Sequence, residues 1–138
     1  MSERALGLRF TVTIDGLSLG DWTKCDGLSI EYETKDYQEG GENSFTHRLA
    51  GRAKYQNIKL TRPIDKDTGK VAAWLASVAS APKRSTAEIQ LLDAGGTKVT
   101  SWKLAGVYPA KWSGPTLDTG TNQVALEVLE LVHNGFTR

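Results

Sequence analysis

Along most of the chain, apolar and polar residues alternate one by one. In residues 8–14, Leu8, Phe10, Val12 and Ile14 alternate with Arg9, Thr11 and Thr13, the period of a half-buried strand. Asp15-Gly16 predicts a tight turn. SLGDW then predicts a short strand, Asp26-Gly27 a second turn, and a longer strand follows. In that strand Leu28, Ile30 and Tyr32 share one parity against Ser29, Glu31 and Glu33. QEGGEN interrupts the pattern, and Gly40-Gly41 opens backbone angles closed to other residues. Beyond it Phe45, His47 and Leu49 alternate with Thr46, Arg48 and Ala50. Ala50-Gly51-Arg52 reads as a turn into a second strand, where Ile58 and Leu60 alternate with Asn57, Lys59 and Thr61. Pro63 has no amide donor and ends that ladder.

The period changes once. Val71, Trp74, Leu75 and Val78 recur at three and four, which predicts one amphipathic helix. Asp67 or Thr68 stands at its start as a cap and Pro82 closes it. Strand pattern then returns: DAGG predicts a hairpin between residues 89–92 and 99–104, and VYPAKWSGP a further strand with prolines at its rim. NQVALEVLELVHNG fits either period. Val124, Val128, Leu131 and Val132 suit a helix, whereas Leu126, Val128 and Val132 suit a strand with Glu130 as the misfit. The elements add up to a mainly β domain, a two-sheet sandwich or barrel with one helix and a long hairpin.

Composition adds bounds. The chain has 138 residues and a net charge of +1, which suits one domain over residues 1–138 and no polycation. Cys25 is the only cysteine, so neither an internal disulfide nor a cysteine-rich zinc site is available. Its place in WTKCDGL reads as a small half-buried side chain. The start, MSERALGLRFTV, shows no signal peptide and no membrane span, which points to cytosolic synthesis.

Motifs for chemistry are missing from the sequence. DTGKVAAW holds Gly-Lys without the earlier glycine or the following Ser or Thr of a phosphate loop. DKDTGK lacks the later ligands of a calcium loop. His47 lies in an alternating strand and His133 beside Asn134-Gly135 at a strand end. Neither accompanies a nucleophile and an orienting acid. Glu127 and Glu130 lie three apart, so on a strand they face opposite sides. The expectation is no enzyme, no metal and no cofactor.

One segment stands out. From Asn43 to Ile64 there is no Asp or Glu, yet Arg48, Arg52, Lys54, Lys59 and Arg62 all occur. Two readings compete: a solvated strand face with positive side chains, and a monomeric β-barrel module binding nucleic acid or a ligand. Phe45 and Tyr55 are the only aromatics inside it, which is thin for base stacking.

The same segment, YQEGGENSFTHRLAGRAKYQNIKLTRP, closely resembles the signature of tail tube proteins of contractile phages and phage-tail-like injection particles. There an EGG-x-N segment precedes a hairpin and then G-R-x-K-Y-x-N-I-x-L-x-R-P. FTVTIDGLSLGDWTKCDGLSIEYE resembles the family's opening strands. WKLAGVYPAKWSGPTLD and VALEVLELVHNGF resemble its closing ones, so the likeness runs from about Leu8 to Phe136.

The resemblance implies a structural subunit. Hexameric rings of it would stack into a hollow inner tube inside a contractile sheath, with baseplate or tube-initiator proteins below and DNA or protein cargo in the bore. It also implies a C-terminal strand and a helix towards the outer side. Thr46, Arg48, Asn57, Lys59 and Thr61 would then face the lumen. Residues 37–44, with Tyr37, Glu39, Gly40, Gly41, Glu42 and Asn43, would reach a neighbouring subunit or ring. Arg52 and Lys54, at the hairpin turn, would meet the adjacent ring, where they could pair with Glu39 or Glu42. No part would insert in a membrane, and assembly would begin in the cytoplasm.

Overall fold

The computed structural model describes residues 8–37, 47–120 and 125–137, with backbone alone at 35–37 and 47–51. Ten strands and one helix follow in chain order among the described residues: β1 (Arg9–Ile14), β2 (Leu17–Trp22), β3 (Lys24–Asp26), β4 (Ile30–Tyr37), β5 (His47–Tyr55), β6 (Ile58–Pro63), α1 (Thr68–Ser80), β7 (Ser85–Leu92), β8 (Lys98–Ser113), β9 (Leu126–Val132) and β10 (Gly135–Thr137). The mainly β reading and the single helix stand, and the ambiguous C-terminal run is a strand.

Eight strands form one sheet in the order β2-β1-β7-β8-β9-β6-β3, with β10 also against β8. The pairings are antiparallel. The turn at Asp15-Gly16 is as the sequence implies: both residues have positive φ, 50° and 83°, and Ile14 faces Leu17 across it, the geometry that suits the twist of a two-residue hairpin. The DAGG turn is held by Asp93, whose carboxylate accepts from the amides of Gly95 and Thr97, both at 2.9 Å.

The sheet wraps round on itself. Its two end strands, β2 and β3, are consecutive in the chain and separated by Thr23 alone. Thr23 bonds across to β6: its amide and its hydroxyl both donate to the Thr61 carbonyl, at 3.1 and 3.0 Å. Inside lies one core of Val12, Ile14, Leu19 and Trp22 from β1 and β2, Ala87 and Ile89 from β7, Ile58 and Leu60 from β6, and Leu129 and Leu131 from β9. Helix α1 adds Val71, Trp74 and Val78 to it.

Several boundaries differ from the sequence reading. VYPAKWSGP is no separate strand: β8 runs on through it, pairing with β7 first and β9 later. Pro109 sits where the β8–β9 register shifts, so its missing donor is absorbed by an irregularity. Ala50-Gly51-Arg52 is no turn. It lies within β5, where the pairs Tyr32–Ala53 and Thr34–Ala50 leave two residues opposite one, a bulge. The hairpin is therefore β4–β5, a separate two-stranded sheet, and β6 pairs instead with β3 and β9. At the helix start Asp67 holds the cap position but makes no side-chain cap bond. Thr68's hydroxyl donates to Glu127 instead, at 2.7 Å.

Candidate assembly site

Strand β6 presents two distinct faces. Ile58, Leu60 and Arg62 are buried, while Lys59 is exposed and Thr61 half-exposed. Asn57, just before the strand, is exposed too. The predicted polar parity of Asn57, Lys59 and Thr61 is thus the solvent side of the wall. Lys59 faces Glu130 of β9, and Glu130 faces Lys111 of β8. Asn57 donates its amide to the Glu130 carboxylate at 2.8 Å. The basic segment therefore carries its counter-charge from another strand.

Arg62 departs from the solvated reading. It is 1% exposed and Glu127 is 0% exposed. The guanidinium donates to Glu127 at 2.7 Å and to the carbonyls of Leu19 and Asp21 at 2.7 and 3.1 Å. It also lies 3.9 Å from the centre of the Trp22 ring, a stacking geometry favourable to a cation. Glu127 accepts further from Thr68 at 2.7 Å and from the Trp112 indole at 2.9 Å. One buried carboxylate so ties β6, β9, β8 and the start of α1 together. The sequence reading missed this cluster; the shared parity of positions 58, 60 and 62 was the available sign.

Arg52 and Lys54 do not sit at the hairpin turn. Both lie on β5 towards the hairpin's base, because the chain turns beyond β4 and not at Gly51. Lys54 stands opposite Glu31 and its ammonium lies 3.9 Å from the Glu33 carboxylate. Tyr37 pairs with His47 and Asp36 with Arg48 at the far end of the hairpin. Glu39, Gly40, Gly41, Glu42, Asn43 and Thr46 lie outside the described residues, as does the side chain of Arg48.

At the base of the hairpin three rings meet. Tyr55, His133 and Phe136 have centroids 5.2 to 5.6 Å apart. His133 accepts from the Gly135 amide through Nδ1 and bonds the Gln56 carbonyl through Nε2, both at 3.1 Å. One neutral tautomer, with the proton on Nε2, satisfies both. His133 is the strand-end residue that the sequence implied, and it locks the β5–β6 joint to the β9–β10 corner. Cys25 is half-buried; burial, with Asp26 beside it, pushes its thiol up to about 11, far from a reactive thiolate at neutral pH.

Fold and surfaces describe a building block: a curved, polar-faced sheet with an attached two-stranded arm whose outer edges have no strand beside them among the described residues. A family profile described as the T4-like virus tail tube protein gp19 matches residues 7–137, and the chain belongs to that family. Among solved structures it is similar to a chain of the sheath–tube complex of PVC, an extracellular contractile injection system. The TM-score is 0.76 at 21% identity, covering 94% of this chain and 86% of that one. A chain of the anti-feeding prophage baseplate matches with a TM-score of 0.71 at 24% identity, covering 99% and 93%. Hcp1 of Salmonella typhimurium gives 0.53 at 15% identity, covering 93% and 83%. No curated protein matches. None of these matches favours a monomeric nucleic-acid- or ligand-binding barrel. Among the described residues no helix is long and apolar enough to cross a membrane.

Proposed function

We propose that this chain, as one domain over residues 1–138, is the inner-tube subunit of a contractile injection particle. Hexameric rings stack into a hollow tube that sits inside a sheath, starts on a baseplate and passes DNA or protein cargo. The role is structural, without catalysis, assembled in the cytoplasm and then carried in the particle. One observation carries the reading beyond family membership: among the described residues, the β4–β5 arm is a sheet of its own with unpaired outer edges. Such edges pair indiscriminately in a free monomer and are consumed when copies close into a ring. On this reading Asn57, Lys59 and Thr61 face the bore, continued by Thr46 and Arg48 on the arm, and α1 lies outside. Residues 37–44 reach the next subunit or ring.

Negative-stain electron microscopy of the purified full chain, with its mass measured in solution, tests the proposal. Rings or hollow tubes are the expected result. A monodisperse monomer at high concentration, unchanged by added baseplate, overturns it.

A further inference from the structure

Three cations of the acid-free segment have an acid from another strand beside them. Arg62 bonds Glu127, Lys54 lies 3.9 Å from Glu33, and Lys59 faces Glu130. The third case extends into a row. Asp26 of β3 faces Lys59 of β6, Lys59 faces Glu130 of β9, and Glu130 faces Lys111 of β8. Residues paired directly across antiparallel strands share a face, with Cβ atoms about 5 Å apart. Four adjacent strands thus carry acid, base, acid and base in one line on the solvent side. Two shallow hollows meet at Lys59 and Glu130; Lys111 and Ser113 line one, Asp26 and Asn57 the other. The next row, Lys24, Thr61, Val128 and Ser113, adds a single charge, and Lys24 lies 3.6 Å from Asp26.

Resting on the tube reading, we propose that Glu130 decides how this wall treats nucleic acid: placed between Lys59 and Lys111, it keeps the pair from holding a phosphate backbone. Exposed lysines bind phosphate by releasing its counterions, without regard to sequence. Lys59 and Lys111 are both exposed and stand two strands apart, about 10 Å. Glu130 on the strand between them lies within a Debye length of each, so it offsets both lysines and repels phosphate. Its carboxylate is anchored on this face by the Asn57 amide, at 2.8 Å. With Glu130 the two rows hold three lysines against two acids; without it they hold three against one. A ring repeats the row in every copy, so a small gain at each site would multiply along a strand that touches several. Nucleic acid therefore passes this face without being gripped, and the charge of one residue sets that outcome.

Glu130→Gln tests this in the full chain, with native folding checked by circular dichroism. The variant keeps an acceptor for Asn57 and removes only the charge. Binding of a short fluorescein-labelled DNA strand is read by anisotropy over a series of salt concentrations. The native chain should bind weakly. Glu130→Gln should bind about tenfold or more tightly at low salt, and its salt slope should steepen by about 1 to 2, as two added lysine–phosphate contacts require. Glu88, on β7 outside the row, faces Lys103; Glu88→Gln changes net charge equally and should bind like the native chain. Glu130→Thr replaces Glu130→Gln if that variant loses its fold. A Glu130 variant that binds no tighter than the native chain, or a gain that Glu88→Gln matches, overturns this role for Glu130 and leaves the tube reading intact. Failure to form rings or tubes overturns the tube reading instead, and with it the passage of nucleic acid along this row.

Discussion

Glu127 and Arg62 show how much one buried pair holds. With both side chains out of water, the pair bonds directly; Glu127 accepts further from Thr68 and Trp112, while Arg62 donates to the carbonyls of Leu19 and Asp21 and lies over the Trp22 ring. Removing one partner leaves a buried charge without its counter-charge, so Arg62→Ala or Glu127→Ala should destabilise by about 3–5 kcal/mol. Replacing both by leucine should be milder than the sum of the singles, and a double-mutant cycle in urea checks it. Asp15 acts the other way round, at the surface. The Thr86 amide, 3.0 Å from its Oδ1, holds its carboxyl below the ordinary carboxylate value, with Ser85 and Lys83 adding to the effect. Its side chain is 41% exposed, so the contribution is small. The folded state favours the ionised form, so this stability is present above the ordinary value near 4 and fades as pH falls through the lowered one. Asp15→Asn should therefore lower Tm at pH 7 and match the native chain near pH 2. The sequence made Asp15 legible through the Asp-Gly pair. It hid Glu127, because its partner is 65 residues away and charge count alone sends an arginine to solvent.

At the level of elements, local pattern located strands better than it paired them. Every long alternating run became a strand, and α1 buries the Val71, Trp74 and Val78 that its period picked out. Pairing depends on contacts distant in sequence, so Gly51 passed for a turn when it belongs to a bulge. The solvent-side parity of Asn57, Lys59 and Thr61 was readable from alternation alone; the position of Arg52 and Lys54 was not, because it required the true hairpin. Glycines separate the same way. Gly27 has φ +98°, and a Cβ there would lie 2.0 Å from the Asn57 carbonyl oxygen. Gly27→Ala should cost about 1–3 kcal/mol and disturb the β5–β6 joint. Gly69, in the first turn of α1, has nothing within 4 Å of such a Cβ, so Gly69→Ala should be neutral or slightly stabilising. Thermal unfolding of the two variants side by side decides it.

For the whole molecule, the wall's composition was legible and the order of its strands was not. Alternation implied a polar face and a packed face, and the basic run suggested an excess of positive charge. The folded wall sets Lys59 and Lys111 on either side of Glu130, an arrangement visible only once three strands lie next to one another. If tubes form as expected, each subunit presents this mixed patch to its cargo.

Thr23, the single residue between the first and last strands of the sheet, gives that wall a seam. Elsewhere neighbouring strands are joined by a backbone ladder, and spreading the sheet would break that ladder bond by bond. At the seam the join rests on four hydrogen bonds from Thr23 and Arg62. A curved sheet under strain yields first where its stitching is sparsest. The sheet around the packed core should therefore open first at Thr23, by turning a few bonds, without any strand leaving its partners.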